Sequence, residues 1–254
     1  MGLGRILVAT DTSAYSDHAL VIGKQLAGQS GASLAVVQVR EPRSSGAPEP
    51  AGVSSLPDPV TQTFWRDGVP GVEIARCAEL WRADLVVLGR NGHSTPRLGT
   101  TTEMVLRRRH GPTLLVPCNV SGFGRILYAL DGTERGLRIL DGAGHLPAIT
   151  GAMPMAVCVL PPDSGQPAQG GVPHPRFTRL QAAMAQRPDL GGLESLAMRW
   201  GEPVAEVLRH LVETAADLLV LGLRQGGPGR DPGSGHVARD LLHSVPTAIL
   251  TVPI

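Results

Sequence analysis

Two patterns of apolar residues alternate along the chain. Short continuous aliphatic runs closed by glycine or a polar residue are separated by longer stretches in which apolar side chains return every third or fourth position. The first pattern predicts strands covered on both faces, the second helices lying against them. Gly4-Arg5-Ile6-Leu7-Val8-Ala9 is such a strand, ending at Asp11, and a helix from about Ser13 to Gln29 follows, with Ala19, Leu20, Ile22, Gly23 and Leu26 inward. Ser33 to Val39 is the next strand. From Glu41 to Pro59 the chain is rich in Pro, Ser and Gly and has no helical period, which predicts a mobile loop or at most a short helical turn. Val60 to Arg66 alternates as a strand. Pro70 opens a helix to Arg82, expected to bury Val72, Ala75, Leu80 and Trp81.

Asp84-Leu85-Val86-Val87-Leu88-Gly89 is a further buried strand, and Arg90 to Leu98, with Gly92, Ser94, Thr95 and Pro96, predicts a loop free of regular structure. Thr100 and Glu103 have the spacing of a capping box, which makes Thr100 the expected N-cap of a helix that buries Met104, Val105 and Leu106. Arg107-Arg108-Arg109-His110 then suits the charged C-terminal end of that helix. Gly111-Pro112 stops it, and Thr113 to Val116 forms the last strand. The order β-α-β-loop-β-α-β-α-β demands a mainly parallel, doubly wound sheet with right-handed crossovers.

The second half repeats the first. Gly124 to Asp131 matches Gly4 to Asp11 at six of eight positions. Gly201, Pro203, Glu206, Arg209, Ala216-Asp217, Leu221 and Gly222 stand at a constant offset from Gly68, Pro70, Glu73, Arg76, Ala83-Asp84, Leu88 and Gly89. Two tandem α/β domains are predicted, 1–120 and 121–254. The second copy has its own loose segment, Pro161 to Pro173, and then a helical spacing from Phe177 to Arg187. Met153 and Met155 fall on a strand and are expected in the core.

Composition narrows the chemistry. Lysine plus arginine number 23 and the net charge is +1, yet Lys24 is the single lysine, so any anion must be met by arginine and backbone N–H groups. There is no GxxxxGK[ST] sequence. The near-neutral charge implies neither nucleic acid nor membrane as a partner, and no apolar run approaches the roughly 18 residues of a spanning helix. Cys77, Cys118 and Cys158 are widely spaced in apolar surroundings, as buried thiols of a cytoplasmic protein would be. No metal-ligand spacing, paired carboxylates or Ser-His-Asp set is present, so the residues give no catalytic assignment.

At Ile6-Leu7-Val8-Ala9-Thr10-Asp11-Thr12-Ser13, Ala83 to Gly89, Gly99-Thr100 and Pro112 to Val116 the chain resembles the universal stress protein family, whose pattern runs ILVAxDGS, ADLxVxG, G-x2-G-x9-G-[ST] and P-x-LxV. The resemblance covers essentially the whole chain, twice. It implies an adenine nucleotide α-hydrolase-like fold, with a five-stranded mainly parallel sheet between helices in each of two tandem domains. Its implied ligand is ATP, with Mg²⁺ held chiefly by the phosphates, in a stress-response role. Carried over residue by residue, Asp11 would sit by the adenosine, Val39 would contact adenine, and Gly89, Gly92, Gly99 and Thr100 would surround the ribose and phosphates, with Arg90 flanking the loop. A weaker second site would use Asp131, Gly222, Gly226, Gly235 and His236.

Both copies depart from the pattern. In the first, six residues rather than nine separate Gly92 from Gly99; in the second, Gly226 comes one place late and His236 replaces Ser/Thr. The N-terminal copy is therefore the expected nucleotide site, and the protein a sensor that is non-catalytic or at most a slow ATPase. On the residues alone Asp11 is equally a helix cap, Arg90 and Arg97 equally solvated arginines, and His93 and His236 loop and cap residues. The alternative function is a nucleotide-free pseudo-dimer acting as a protein-interaction module. In either case Thr113 to Val116 and Ala248 to Val252 are expected to pair within the chain, and further dimerisation is left open.

Overall fold

The computed structural model describes residues 2–11, 13–41, 60–92, 95–162, 174–187, 190, 196–224 and 236–254. The expected loop after Glu41 and most of the segment before Pro173 lie outside these residues. The chain divides into two compact units, Gly2–Ser121 and Gly122–Ile254.

In the N-terminal unit, β1 (Arg5–Thr10), α1 (Ala14–Ser30), β2 (Ser33–Arg40), β3 (Val60–Asp67), α2 (Pro70–Leu80), β4 (Leu85–Gly89), β5 (Asn91–Gly92), β6 (Thr95–Leu98), α3 (Thr100–Arg108) and β7 (Thr113–Val116) follow in order. Its main sheet runs β7-β4-β1-β2-β3, and every adjacent pair is parallel. The crossover through α1 moves from β1 to β2, whereas those through α2, from β3 to β4, and through α3, from β4 to β7, run in the opposite direction. Right-handed crossovers then put α1 on one face and α2 with α3 on the other. The central strands are apolar along their length because both faces are covered: Leu7, Val8, Val86, Val87 and Leu115 are fully buried. Each such side chain contributes roughly 1.5–3 kcal/mol of burial.

The C-terminal unit repeats the plan with β8 (Arg125–Leu130), α4 (Glu134–Ala143), α5 (Leu146–Thr150), β9 (Met153–Leu160), α6 (Pro175–Ala185), β10 (Leu196–Trp200), α7 (Pro203–Thr214), β11 (Leu218–Leu223), α8 (His236–Ser244) and β12 (Ala248–Pro253). Its sheet order is β10-β9-β8-β11-β12, again parallel.

The repeat extends to individual bonds. Asp84 Oδ2 accepts the N–H groups of Gly4 and Arg5, both at 2.9 Å, and Asp217 accepts those of Gly124 and Arg125 in the same way. Gly68 and Gly201, before α2 and α7, have φ of 144° and 146°, which L side chains rarely adopt, and a glutamate of the following helix folds over each. Arg82 and Ala215 both take the left-handed conformation at the end of the following helix.

Several expectations are corrected. The loop after Arg90 carries a short antiparallel ladder, β5 with β6, because Asn91 and Leu98 come opposite each other. Gly99, not Thr100, is the N-cap of α3: it has extended backbone, its carbonyl accepts Glu103 N–H at 3.0 Å, and no side chain caps it, so there is no capping box. On α2 the buried face is Ile74, Ala75, Cys77 and Ala78; Leu80 is 69% exposed and Val72 and Trp81 are half-buried. Trp81 instead packs edge-on to Phe64 with the Arg5 guanidinium over its ring. Met153 begins β9 at the rim and is exposed, while Met155 is half-buried. Within the cationic run, Arg109 is buried and donates to the carbonyls of Ala83 (2.7 Å) and Pro112 (3.3 Å), which tie the end of α3 to the starts of β4 and β7. No helix among the described residues is long and apolar enough to cross a membrane.

Candidate nucleotide site

In an open parallel sheet the natural crevice lies beyond the carboxyl ends of the strands, where successive connections leave in opposite directions. In the N-terminal unit that point is between β1 and β4. The ladder of β1 with β4 runs to Val8 and Val87, and Asp11 and Arg90 follow at equal distance on the two strands. On its other side β1 pairs Thr10 with Gln38 of β2, which puts Val39 level with Asp11. Gly89 closes β4 beside Val116. The topology thus brings Asp11, Val39, Gly89 and Arg90 to one edge of the sheet.

Each is held by local chemistry. Asp11 is exposed, and its Oδ1 accepts Ser13 N–H at 3.0 Å, the turn that launches α1; Ser13 is the N-cap and accepts Ser16 N–H. Thr10 Oγ1 and Ser16 Oγ are 3.0 Å apart, which joins the strand end to the first turn of the helix. Arg90 is buried, not a solvated loop arginine. Its N–H donates to Val116 O at 2.9 Å, and burial holds its guanidinium below the ordinary arginine value. Gly92 lies in β5. Gly99 caps α3 with its backbone alone and Thr100 is the first helical residue. Thr102 Oγ1 donates to Gly89 O at 3.4 Å, so the first turn of α3 is docked on the end of β4. The side chain of Arg97 and all of His93 lie outside the described residues.

One residue at this edge carries no signal of its own in the sequence. Gln38, within the aliphatic run of β2, is 6% exposed, and its buried Oε1 has no hydrogen-bond partner among the described residues. A buried unpaired acceptor is costly, about 1–3 kcal/mol, and calls for a donor from a ligand or water.

The C-terminal counterpart is built differently. Asp131 Oδ1 accepts both the N–H (2.9 Å) and the hydroxyl (2.7 Å) of Thr133, and it packs on Gly136, where any side chain would collide with it. Gly132, with φ of 69°, lies directly against the backbone of Arg176 in α6, and Arg179 Nη1 donates to its carbonyl at 3.2 Å. A methyl group on Gly222 would lie 2.6 Å from Ile254 Cδ1 and 3.0 Å from Ile139 Cδ1. His236 is the exposed first residue of α8. Gly226 and Gly235 lie outside the described residues.

The universal stress protein family model matches residues 2–63, 53–117 and 122–253. The chain belongs to the universal stress protein family. Among solved structures, this universal stress protein is similar to a universal stress protein from Archaeoglobus fulgidus, at 18% identity over 98% of each chain with a TM-score of 0.73. A functionally unknown protein from Pseudomonas aeruginosa is 14% identical over 99% of this chain and 92% of its own, TM-score 0.71. A putative universal stress protein from the same species is 15% identical over 99% and 93%, TM-score 0.71. These likenesses show the fold alone. No curated protein matches in sequence.

Proposed function

We propose that this universal stress protein binds ATP, or a related adenine nucleotide, at the carboxyl edge of its N-terminal sheet and serves as a sensor whose occupancy, not turnover, carries the signal. The observation that carries the reading is the buried Gln38 Oε1, which has no hydrogen-bond partner among the described residues and stands one residue from Val39 and level with Thr10, at the strand ends where the family resemblance puts the base. The exocyclic amino group of adenine is a hydrogen-bond donor, the complement this atom lacks. The start of α3 adds the other half. Capped only by the backbone of Gly99 and docked on Gly89, its first turn offers N–H groups and the positive end of the helix dipole to an anion, which a phosphate would use. Mg²⁺ would travel with the phosphates. Among the described residues no group of His, Cys, Asp and Glu could hold a metal ion, so the phosphates themselves would hold it.

Equilibrium dialysis of the full chain against labelled ATP tests this, with Gln38→Leu as the variant. Saturable uptake that weakens about tenfold in Q38L is expected, since one hydrogen bond to a buried partner is worth about 1.4 kcal/mol. Absence of saturable uptake by the parent chain overturns the proposal.

A further inference from the structure

We infer that the chain carries a single nucleotide, because two isoleucines, Ile139 and Ile254, fill the C-terminal counterpart of the site where the N-terminal unit has Ala19 and Cys118. The inference rests on the nucleotide reading of the N-terminal unit. Gly222 corresponds to Gly89: each lies at the carboxyl end of the strand that follows the matching helix, α7 or α2, paired with Val252 and Val116 respectively. Close backbone approach is what a glycine there offers a ligand. In the C-terminal unit that approach is taken by the protein itself, since Ile254 and Ile139 stand within van der Waals reach of any atom placed on Gly222. Ile254 is fixed in place by its N–H, which donates to Leu223 O at 3.2 Å.

The equivalent positions in the N-terminal unit follow from register. Ile139 is the sixth residue after the N-cap Thr133, and the sixth after the N-cap Ser13 is Ala19. Ile254 comes two residues after Val252, and Cys118 two after Val116. An alanine and a cysteine therefore stand where the C-terminal unit has two β-branched chains. At the strand-to-helix turn the same contrast holds. The backbone of Arg176 lies on Gly132, and Asp131 packs on Gly136, where the first unit has Ser16. Level with Leu130, as Gln38 is with Thr10, Cys158 takes the place of Gln38, and burial pushes its thiol up to about 11, so it is a neutral apolar filler and no partner for a base.

Two measurements on the full chain test this. Isothermal titration with ATP is expected to give one site per chain, and two in I139A/I254C, which copies the N-terminal residues. Two sites in the parent chain, or no added site in a folded I139A/I254C, would overturn it. Independently of any nucleotide, Gly222→Ala is expected to lower Tm by about 4 °C through overpacking, and by less than half as much when added to I139A/I254C. A Tm unchanged by G222A in the parent chain would show the space to be open and overturn the inference. If the parent chain binds no ATP, it is the nucleotide reading that fails, and the G222A result still decides whether the C-terminal copy is filled.

Discussion

At the scale of single residues, His210 shows how an ordinary side chain acquires a pH signature from its surroundings. It is buried on α7, and Arg199 Nη2 of β10 donates to its Nδ1 at 3.1 Å, which requires the neutral ring with the proton on Nε2. Around the pair stand Glu213, bonded to Arg199 and 3.7 Å from the ring, Glu206, 3.7 Å from Arg199, and Arg209, paired with Glu206 at 2.6 Å. Burial, with repulsion from Arg199 second, holds His210 below the ordinary histidine value, and Glu213 only partly offsets this. The unfolded chain therefore takes up the proton first as pH falls. The stability contribution is complete above about pH 6.5, the unfolded value, and declines below it. Urea denaturation between pH 8 and pH 5 should show that decline, and H210Q should flatten it even if its stability at pH 8 is lower. A parent slope no steeper than the variant's would refute the assignment.

At the scale of elements, the pairing of α2 with α3 rests on a glycine. A Cβ on Gly71 would lie 2.5 Å from Met104 Cβ and 3.0 Å from Thr101 O, so the helices meet backbone to backbone. Gly71→Ala should cost about 1–3 kcal/mol, read as a lower urea midpoint with an unchanged slope. The strands were legible because buried parallel strands are continuous aliphatic runs, and helix α1 because Ser13 and the spacing of Ala19, Ile22 and Leu26 agree. What the pattern hid has physical causes. The buried face of α2 is made of Ile74, Ala75, Cys77 and Ala78, mostly small residues that a search for large apolar ones passes over in favour of Leu80. Arg109 looks like its neighbours in the run Arg107 to His110, yet it alone is positioned by carbonyls of two other strands' approaches. Gln38 was invisible because one polar residue in a strand reads as noise until its lack of a partner is seen. Asp11, Val39, Gly89 and Gly99 are named as candidates by the family pattern alone; the isoleucines beside Gly222 carry no motif at all.

At the scale of the whole molecule, one plan is used twice, and each copy contains its own fastening. Asp84 joins the starts of β1 and β4 through two amides, Asp217 those of β8 and β11, and Arg5 and Arg125 each donate from the same strand start to the end of the preceding helix, at Trp81 O (2.9 Å) and Thr214 O (3.4 Å). These bonds lie at the opposite end of the strands from Asp11 and Gly89, so the Ala-Asp of the repeat is a structural lock and takes no part in the site. Every bond involved stays within one unit. Asp84→Ala should therefore raise amide hydrogen exchange in β1 and β4, and Asp217→Ala in β8 and β11, with little change in the other unit. Each substitution removes acceptors from amides that water can reach, so a cost of about 1 kcal/mol is expected. Because the lock is remote from the crevice, D84A should leave ATP affinity within about threefold of the parent, while Q38L should not. If D84A instead abolished binding in a folded protein, the separation of lock from site would be wrong, and the role of the two strand ends would have to be reassigned.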